Sequence, residues 1–424
     1  MRSASLSALT ALCVSTVAGA QTPPVAVPYS SQTRPGARSA GTVDDVALWV
    51  NSSNPAASRL LTSDRNNGLF AYTLDGTEVQ TLTEGTSSSV DVVYGFPVGD
   101  GVTQALVVSA NPTLSGLVPY VPDSAPDAGG GLSRLSPTAA PLDVGTSYGM
   151  VRLFRAADGT FQAFGGLAGG GLRQLVLTPT DGGVTATPVR DIPTGFVTGL
   201  AVDPSQRAVY VAQQGQGLYR YGSDVDAGIE GQQVVPLGDG GLSSVGRLTL
   251  YASSGVDGYL VVSDPNASTF VVFDRRTLGR VGAFQGVQDG GSDGVDQSRG
   301  VVAYPGALGA AFPEGLFVAH DALSSSTLGD NLKLTSWGSV ARAFTPPLAI
   351  AQQVDGGTGG DGGTGDGGTA QDGGGGGVVI PGPGNPGGSG DSPDGGCGCS
   401  STSVPAVAML GLLGMALRSR RRRG

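Results

Sequence analysis

Short apolar runs of four to seven residues, each closed by a turn signal, recur from one end of this chain to the other. They fall at residues 47–50, 68–74, 105–109, 150–155, 172–177, 199–202, 208–213, 217–221, 247–251, 259–263, 269–274 and 315–320. Between them stand turn-forming pairs such as Asp75-Gly76, Asp158-Gly159, Asp203-Pro204 and Asp257-Gly258. Outside the two ends, no stretch keeps helical periodicity for twelve residues. This pattern predicts an all-β fold. Sandwich, barrel and propeller all accept such spacing, but so many strands favour four-stranded sheets repeated around an axis. Ala208-Val209-Tyr210-Val211-Ala212, followed after a Gly/Gln turn by Gly217-Leu218-Tyr219-Arg220-Tyr221, reads as a blade hairpin, and 259–263 with 269–274 repeats the rhythm. At about 50 residues per blade, the body at 27–349 is expected to form a six-bladed β-propeller of four-stranded antiparallel blades.

The two ends read as sorting signals. Arg2, an apolar core over 6–17 and Ala18-Gly19-Ala20 have the order of a secretory signal peptide, so residues 1–20, with Cys13, are expected to leave. Leu12 is the wrong residue before Cys13 for a lipoprotein signal. At the other end Cys397 and Cys399 precede an apolar stretch at 404–417 and a basic cluster of Arg418 and Arg420 to Arg423. Fourteen residues are short of the roughly 20 that span a bilayer, but they suffice to hold a precursor whose basic end stops transfer. Residues 397–424 resemble a MYXO-CTERM-type sorting tail, which implies cleavage or lipidation near the cysteines, and a protein that is exported and either anchored in the cell envelope or released. One intervening residue would strain a disulfide between Cys397 and Cys399, and two thiolates alone make a poor zinc site.

Between body and tail, residues 353–396 are almost wholly Gly, Asp, Thr and Pro, with repeated Asp-Gly-Gly units. Such a segment has no apolar side chains to bury and reads as a flexible linker. The nine-residue period of calcium-binding β-roll repeats is missing. Removing both ends takes away six arginines and no acid, which shifts the net charge from −10 to −16. Nucleic acid is thereby a poor partner, since phosphate backbones are held by Lys and Arg, and Lys333 is the sole lysine. Membrane contact is expected only through the tail, and the body is expected to be a monomer. An acidic exported protein suits hard cations, calcium first among them.

The order of several segments carries a resemblance. Asp44-Asp45-Val46-Ala47-Leu48-Trp49-Val50 is followed by Asn67-Gly68-Leu69-Phe70-Ala71-Tyr72-Thr73-Leu74-Asp75-Gly76 and by Ser89-Val90-Asp91-Val92-Val93-Tyr94-Gly95-Phe96-Pro97. Later come Tyr148-Gly149-Met150, Ser292-Asp293-Gly294-Val295-Asp296, Glu314-Gly315-Leu316-Phe317-Val318-Ala319-His320-Asp321 and Asn331-Leu332-Lys333-Leu334-Thr335-Ser336-Trp337. Taken in order, these segments resemble the β-propeller phytases, calcium-dependent enzymes that release phosphate from inositol hexakisphosphate. The resemblance implies calcium held at a channel mouth, with Asp44, Asp45, Asp91, Tyr148, Asp293 and Asp296 as metal ligands and Arg65 as a phosphate contact. The implied partner is a small phosphorylated substrate. The same acids are also what strand ends and turns select for backbone reasons.

Departures from the family pattern bear on the chemistry. Where the family carries carboxylates, this chain has Thr198, Gln213, Gln214 and Gly246, and where it carries phosphate-holding cations, this chain has Asn66, Asn111 and Ala168. Calcium affinity follows ligand charge count, so hydrolysis is expected to be weak, on inositol hexakisphosphate or on a smaller ester. The alternative is a calcium-stiffened propeller that has lost the reaction and binds a surface ligand. Two G-x-S-x-G matches, at 145–149 and 290–294, are cheap in a chain with 73 glycines and lack the strand-to-helix elbow. With His320 the only histidine, multi-His zinc sites and histidine phosphatases are excluded. It is expected at a strand end.

Overall fold

The computed structural model describes residues 22–33, 42–123, 131–135, 140–238, 241–288, 293–323 and 329–352. The expected signal peptide, linker and sorting tail, with all three cysteines, lie outside the described residues. No helix among the described residues is long and apolar enough to cross a membrane.

Alternation decides the architecture. In the innermost strand of the first sheet, Val43–Trp49, and its neighbour Arg59–Asp64, adjacent residues face opposite sides, and both sides are buried. Val46 and Leu60 pack in one apolar cluster with Leu316, Val318 and Leu334 of the last sheet. Their chain neighbours Ala47 and Leu61 pack in another, with Val90, Val107 and Val118 of the second. The same division continues around the molecule, each cluster joining two consecutive sheets. A sheet that is apolar on both faces needs a sheet on each side, and closing the row into a ring supplies that to every member.

The ring has six blades, as expected. Their innermost strands are Val43–Trp49, Ser89–Gly99, Tyr148–Arg155, Val197–Asp203, Leu248–Ser254 and Val301–Tyr304. Each contacts the next, and the last contacts the first. Strands within a blade run antiparallel in chain order from axis to rim. Closure comes from the N-terminal segment. Ser31–Gln32 pairs antiparallel with Asn331–Ser336 as the outer strand of the sixth blade. Val25–Pro28 adds a parallel fifth strand to Arg280–Val287 of the fifth blade. That strand opens two residues ahead of the expected body.

Local chemistry makes the turns. Asp64 ends a second strand and accepts the amides of Asn66 and Asn67 at 2.8 and 3.0 Å. Gly68 then begins the third strand at φ +108°, where a Cβ would lie 2.1 Å from the Leu82 carbonyl oxygen, so only glycine fits. The single α-helix among the described residues, Trp337–Ala343, is capped by the Ser336 hydroxyl and covers the end of the sixth blade.

A candidate active-site mouth at the propeller axis

All six innermost strands line a cavity of about 190 Å³ on the axis, with Val46, Asp91, Arg152, Leu200, Thr249 and Val302 among its walls. Three of the innermost strands begin with a bulge, which leaves Asp44, Gly149 and Thr198 outside the regular pairing. At the first of these, Asp44 stays 15% exposed while Asp45 turns inward and is fully buried.

Asp45 has four hydrogen-bond donors. Arg152 grips it with two, Nη1 to Oδ2 at 2.7 Å and Nη2 to Oδ1 at 3.0 Å. The Ser89 hydroxyl donates to Oδ2 at 2.6 Å and the Val46 amide to Oδ1 at 3.1 Å. Arg247 stands 3.8 Å from Oδ1. Burial alone would raise the carboxyl, but the charges of Arg152 and Arg247 and the bonds from Arg152 and Ser89 outweigh it and hold Asp45 below the usual carboxylate range. Deeper in the channel Asp91 accepts the Leu153 amide at 2.6 Å. Burial pushes Asp91 up to about 6, a rise that Arg152 and the Leu153 and Val92 amides reduce without cancelling.

Arg247 is itself enclosed. Its Nε donates to the Asp44 carbonyl at 2.9 Å, Nη1 to the Thr198 carbonyl at 2.9 Å and Nη2 to the Ser88 carbonyl at 3.3 Å. In the fifth blade it faces Ser263, as Asp45 faces Ser63 in the first. Two further arginines meet Asp44 from the solvent side, Arg65 in an ion pair and Arg299 with Nη1 at 4.0 Å. Four guanidinium groups thus converge on the Asp44-Asp45 pair.

The remaining expected ligands are placed elsewhere. Tyr148 is buried in the third blade and donates its hydroxyl to Asp143, which Arg173 also holds at 3.0 Å. Burial and that carboxylate push the phenol well above its ordinary range. Asp293 pairs with the ammonium of Lys333, which also donates to Gln32 Oε1 at 2.6 Å and lies 3.5 Å from Asp321 Oδ2. Asp296 is exposed and accepts the Ser268 hydroxyl at 3.3 Å. Of the five acids and one phenol expected to bind metal, Asp44, Asp45 and Asp91 are brought together, and Asp293 and Asp296 stand with Asp321 at the lead-in to the sixth blade. His320 is buried in the second strand of that blade, its Nδ1 accepting the Arg299 amide at 3.2 Å.

As arranged, the donors do not fit a calcium ion. Calcium takes six to eight oxygens, whereas both oxygens of Asp45 are already engaged by a guanidinium, a hydroxyl and an amide. Among the described residues no group of three or more His, Cys, Asp or Glu side chains is disposed to hold a metal. The neutral replacements are also committed locally. Gln213 accepts the Gly195 amide at 2.8 Å and donates to Tyr221 at 2.9 Å, and Thr198 donates to the Val245 carbonyl at 2.9 Å.

Arg152, Arg247, Arg299 and Ser89 were not among the residues expected from sequence. A signal for two of them exists: Arg152 lies inside Met150-Val151-Arg152-Leu153-Phe154, and Arg247 opens an apolar strand at Leu248. A charge in a run that is otherwise buried implies a buried partner.

Matches among solved structures are distant, and they include BBS1N in complex with ARL6DN, soaked with mercury, at 12% identity, a TM-score of 0.42 and coverage of 74% of this chain and 97% of that one. The β-propeller domain of Myceliophteria thermophila Cps50 (Swd1) matches at 14% identity and a TM-score of 0.39, over 68% of this chain and 82% of that one. A 3-phytase of Bacillus subtilis (strain 168) is 27% identical over 337 residues, 77% of this chain and 87% of the relative. The protein-family model for phytase matches residues 1–358, and on that span the chain belongs to the phytase family.

Proposed function

We propose that this chain is a phytase-like phosphomonoester hydrolase of low efficiency, which takes inositol hexakisphosphate or a smaller phosphate ester at the arginine-lined mouth. Family membership supports the reaction class. The observation that carries the site is the convergence of Arg65, Arg299 and Arg247 on Asp44 at the entrance to the axial cavity. Guanidinium groups offer planar, paired donors to phosphate oxygens. Arg65 and Arg299, at 43% and 40% exposed, have the access to hold an ester. Asp44 lies within 4.0 Å of both and is assigned to orient a water. Low efficiency follows from Thr198 and Gln213, whose polar atoms are engaged in local bonds where the family pattern places carboxylates. The calcium that the family resemblance implies is not built into this reading, because Asp45 and Asp91 already have partners.

A second reading, a surface binding module without hydrolysis, is favoured by the neutralised Asp45. One assay on the full chain separates the two. Phosphate release is measured from inositol hexakisphosphate and from an aryl phosphate, in millimolar calcium and in chelator, alongside calorimetric binding of the hexakisphosphate. Release that falls on Arg65→Ala supports the hydrolase; saturable binding without release supports the module. Neither binding nor release would sink both. Export and surface retention through the two ends belong to the same proposal, and fractionation of the producing cells tests them.

A further inference from the structure

The Arg247 guanidinium sits where a metal ion would be expected to sit. Its donors reach three backbone carbonyls contributed by separate parts of the ring: Asp44 in the first blade, Ser88 just ahead of the second, and Thr198 in the fourth. The carboxylate of Asp45 lies 3.8 Å away, and the Arg247 side chain is only 9% exposed. Carbonyl and carboxylate oxygens converging from several strands are the donor set of a hard cation. A guanidinium, delocalised and weakly hydrated, tolerates such enclosure better than an ammonium and satisfies the oxygens with directed N–H bonds.

A second place repeats the substitution with a different cation. The chain's sole lysine, Lys333, is fully buried, and its ammonium meets Asp293, Gln32 and Asp321. Each acid-rich place that the resemblance assigns to calcium therefore already holds a cationic side chain of the protein itself.

We infer that Arg247, aided by Arg152, is a built-in replacement for a metal cation at the channel mouth, so that this mouth keeps its structure without calcium. The inference concerns the cation and not hydrolysis, so it stands or falls separately from the function proposed above. Its consequence is specific. Removing the positive charge from position 247 uncovers an oxygen-lined hole facing a buried carboxylate, and the variant should acquire the calcium response that the natural protein lacks.

The test is thermal unfolding of the full chain in chelator and in millimolar calcium. The natural chain and Arg247→Lys, which retains the charge, are expected to melt within about 1 °C of themselves in the two conditions. Arg247→Gln is expected to melt lower in chelator and to recover by at least about 5 °C in calcium, and adding Asp45→Asn should abolish that recovery. If Arg247→Gln does not fold, equilibrium dialysis of calcium against the natural chain and Asp45→Asn decides. Equal binding by the two supports the inference, and a calcium bound by the natural chain but lost in Asp45→Asn overturns it. A natural chain that is stabilised by calcium through Asp45, or an Arg247→Gln variant that folds and ignores calcium, also overturns it.

Discussion

Replacing Arg152 by Met tests the electrostatic account of the mouth most directly. Asp45 is wholly inaccessible, and Arg152 provides two of its four hydrogen bonds and the closest positive charge. Breaking a buried pair from one side costs about 3–5 kcal/mol, because the remaining charge is left in a poor solvent. Here Ser89 and the Val46 amide stay on the carboxylate, and Arg247 remains 3.8 Å away, so the lower end, about 3 kcal/mol, is expected. At about 2 °C per kcal/mol for a domain of this size, the melting temperature should fall by roughly 6 °C. Asp45→Asn on the same background removes the stranded charge, so the double variant should be at least about 2 kcal/mol more stable than the two single losses predict. The pH dependence has a defined sign. A carboxyl whose folded pKa is depressed contributes stability above its unfolded pKa and loses it as pH falls through the folded one. The penalty of Arg152→Met should therefore shrink in acid, where Asp45 takes up a proton. A loss under about 1 kcal/mol, or one that Asp45→Asn leaves unchanged, would refute the reasoning.

Asp91 should behave in the opposite sense. Its folded pKa is raised to about 6, so its contribution is fully present below the unfolded value near 4 and is lost as pH rises through about 6. Against Asp91→Asn, which keeps an acceptor for the Leu153 amide, the natural chain should lose about 3 kcal/mol of relative stability over that window; parallel melting curves at each pH would contradict this. Trp337→Ala removes a fully buried indole stacked on Tyr251 at 3.9 Å and bonded to the Ala349 carbonyl, and should cost about 3–5 kcal/mol in denaturant unfolding. Arg65→Ala removes an exposed charge, so stability should change by less than about 1 kcal/mol. Affinity for a phosphate ester should drop about tenfold by calorimetry, and an unchanged affinity would remove Arg65 from the site.

Much of the fold was legible because the information is local. Runs such as 208–213 and 217–221 carry their strand character and their hairpin turn within a dozen residues. Strands that sequence reading passed over lack that signature: the rim strand Glu78–Leu82 is mostly exposed and polar, and Gln232–Pro236 opens on two exposed glutamines. Phe161–Leu167 contains Gly165 and Gly166, the former lying under the Tyr148 ring. The place of Ser31–Gln32 was equally hidden, because it pairs with a strand 300 residues later and only ring closure brings the two together.

Chain order by itself determined an all-β body of repeated four-stranded units, its turn aspartates and the family to which its segments correspond. Tertiary structure decided what the acids face. Arg152 lies 107 positions from Asp45, and Arg247 lies 203 positions from the Asp44 carbonyl it holds. A strand's alternation states which side a residue takes, but which charge waits on that side depends on the number of blades and on the bulges at the axis. Those are settled only when six apolar interfaces pack at once, and they bring Asp44 and Asp45 against arginines and Asp293 against Lys333.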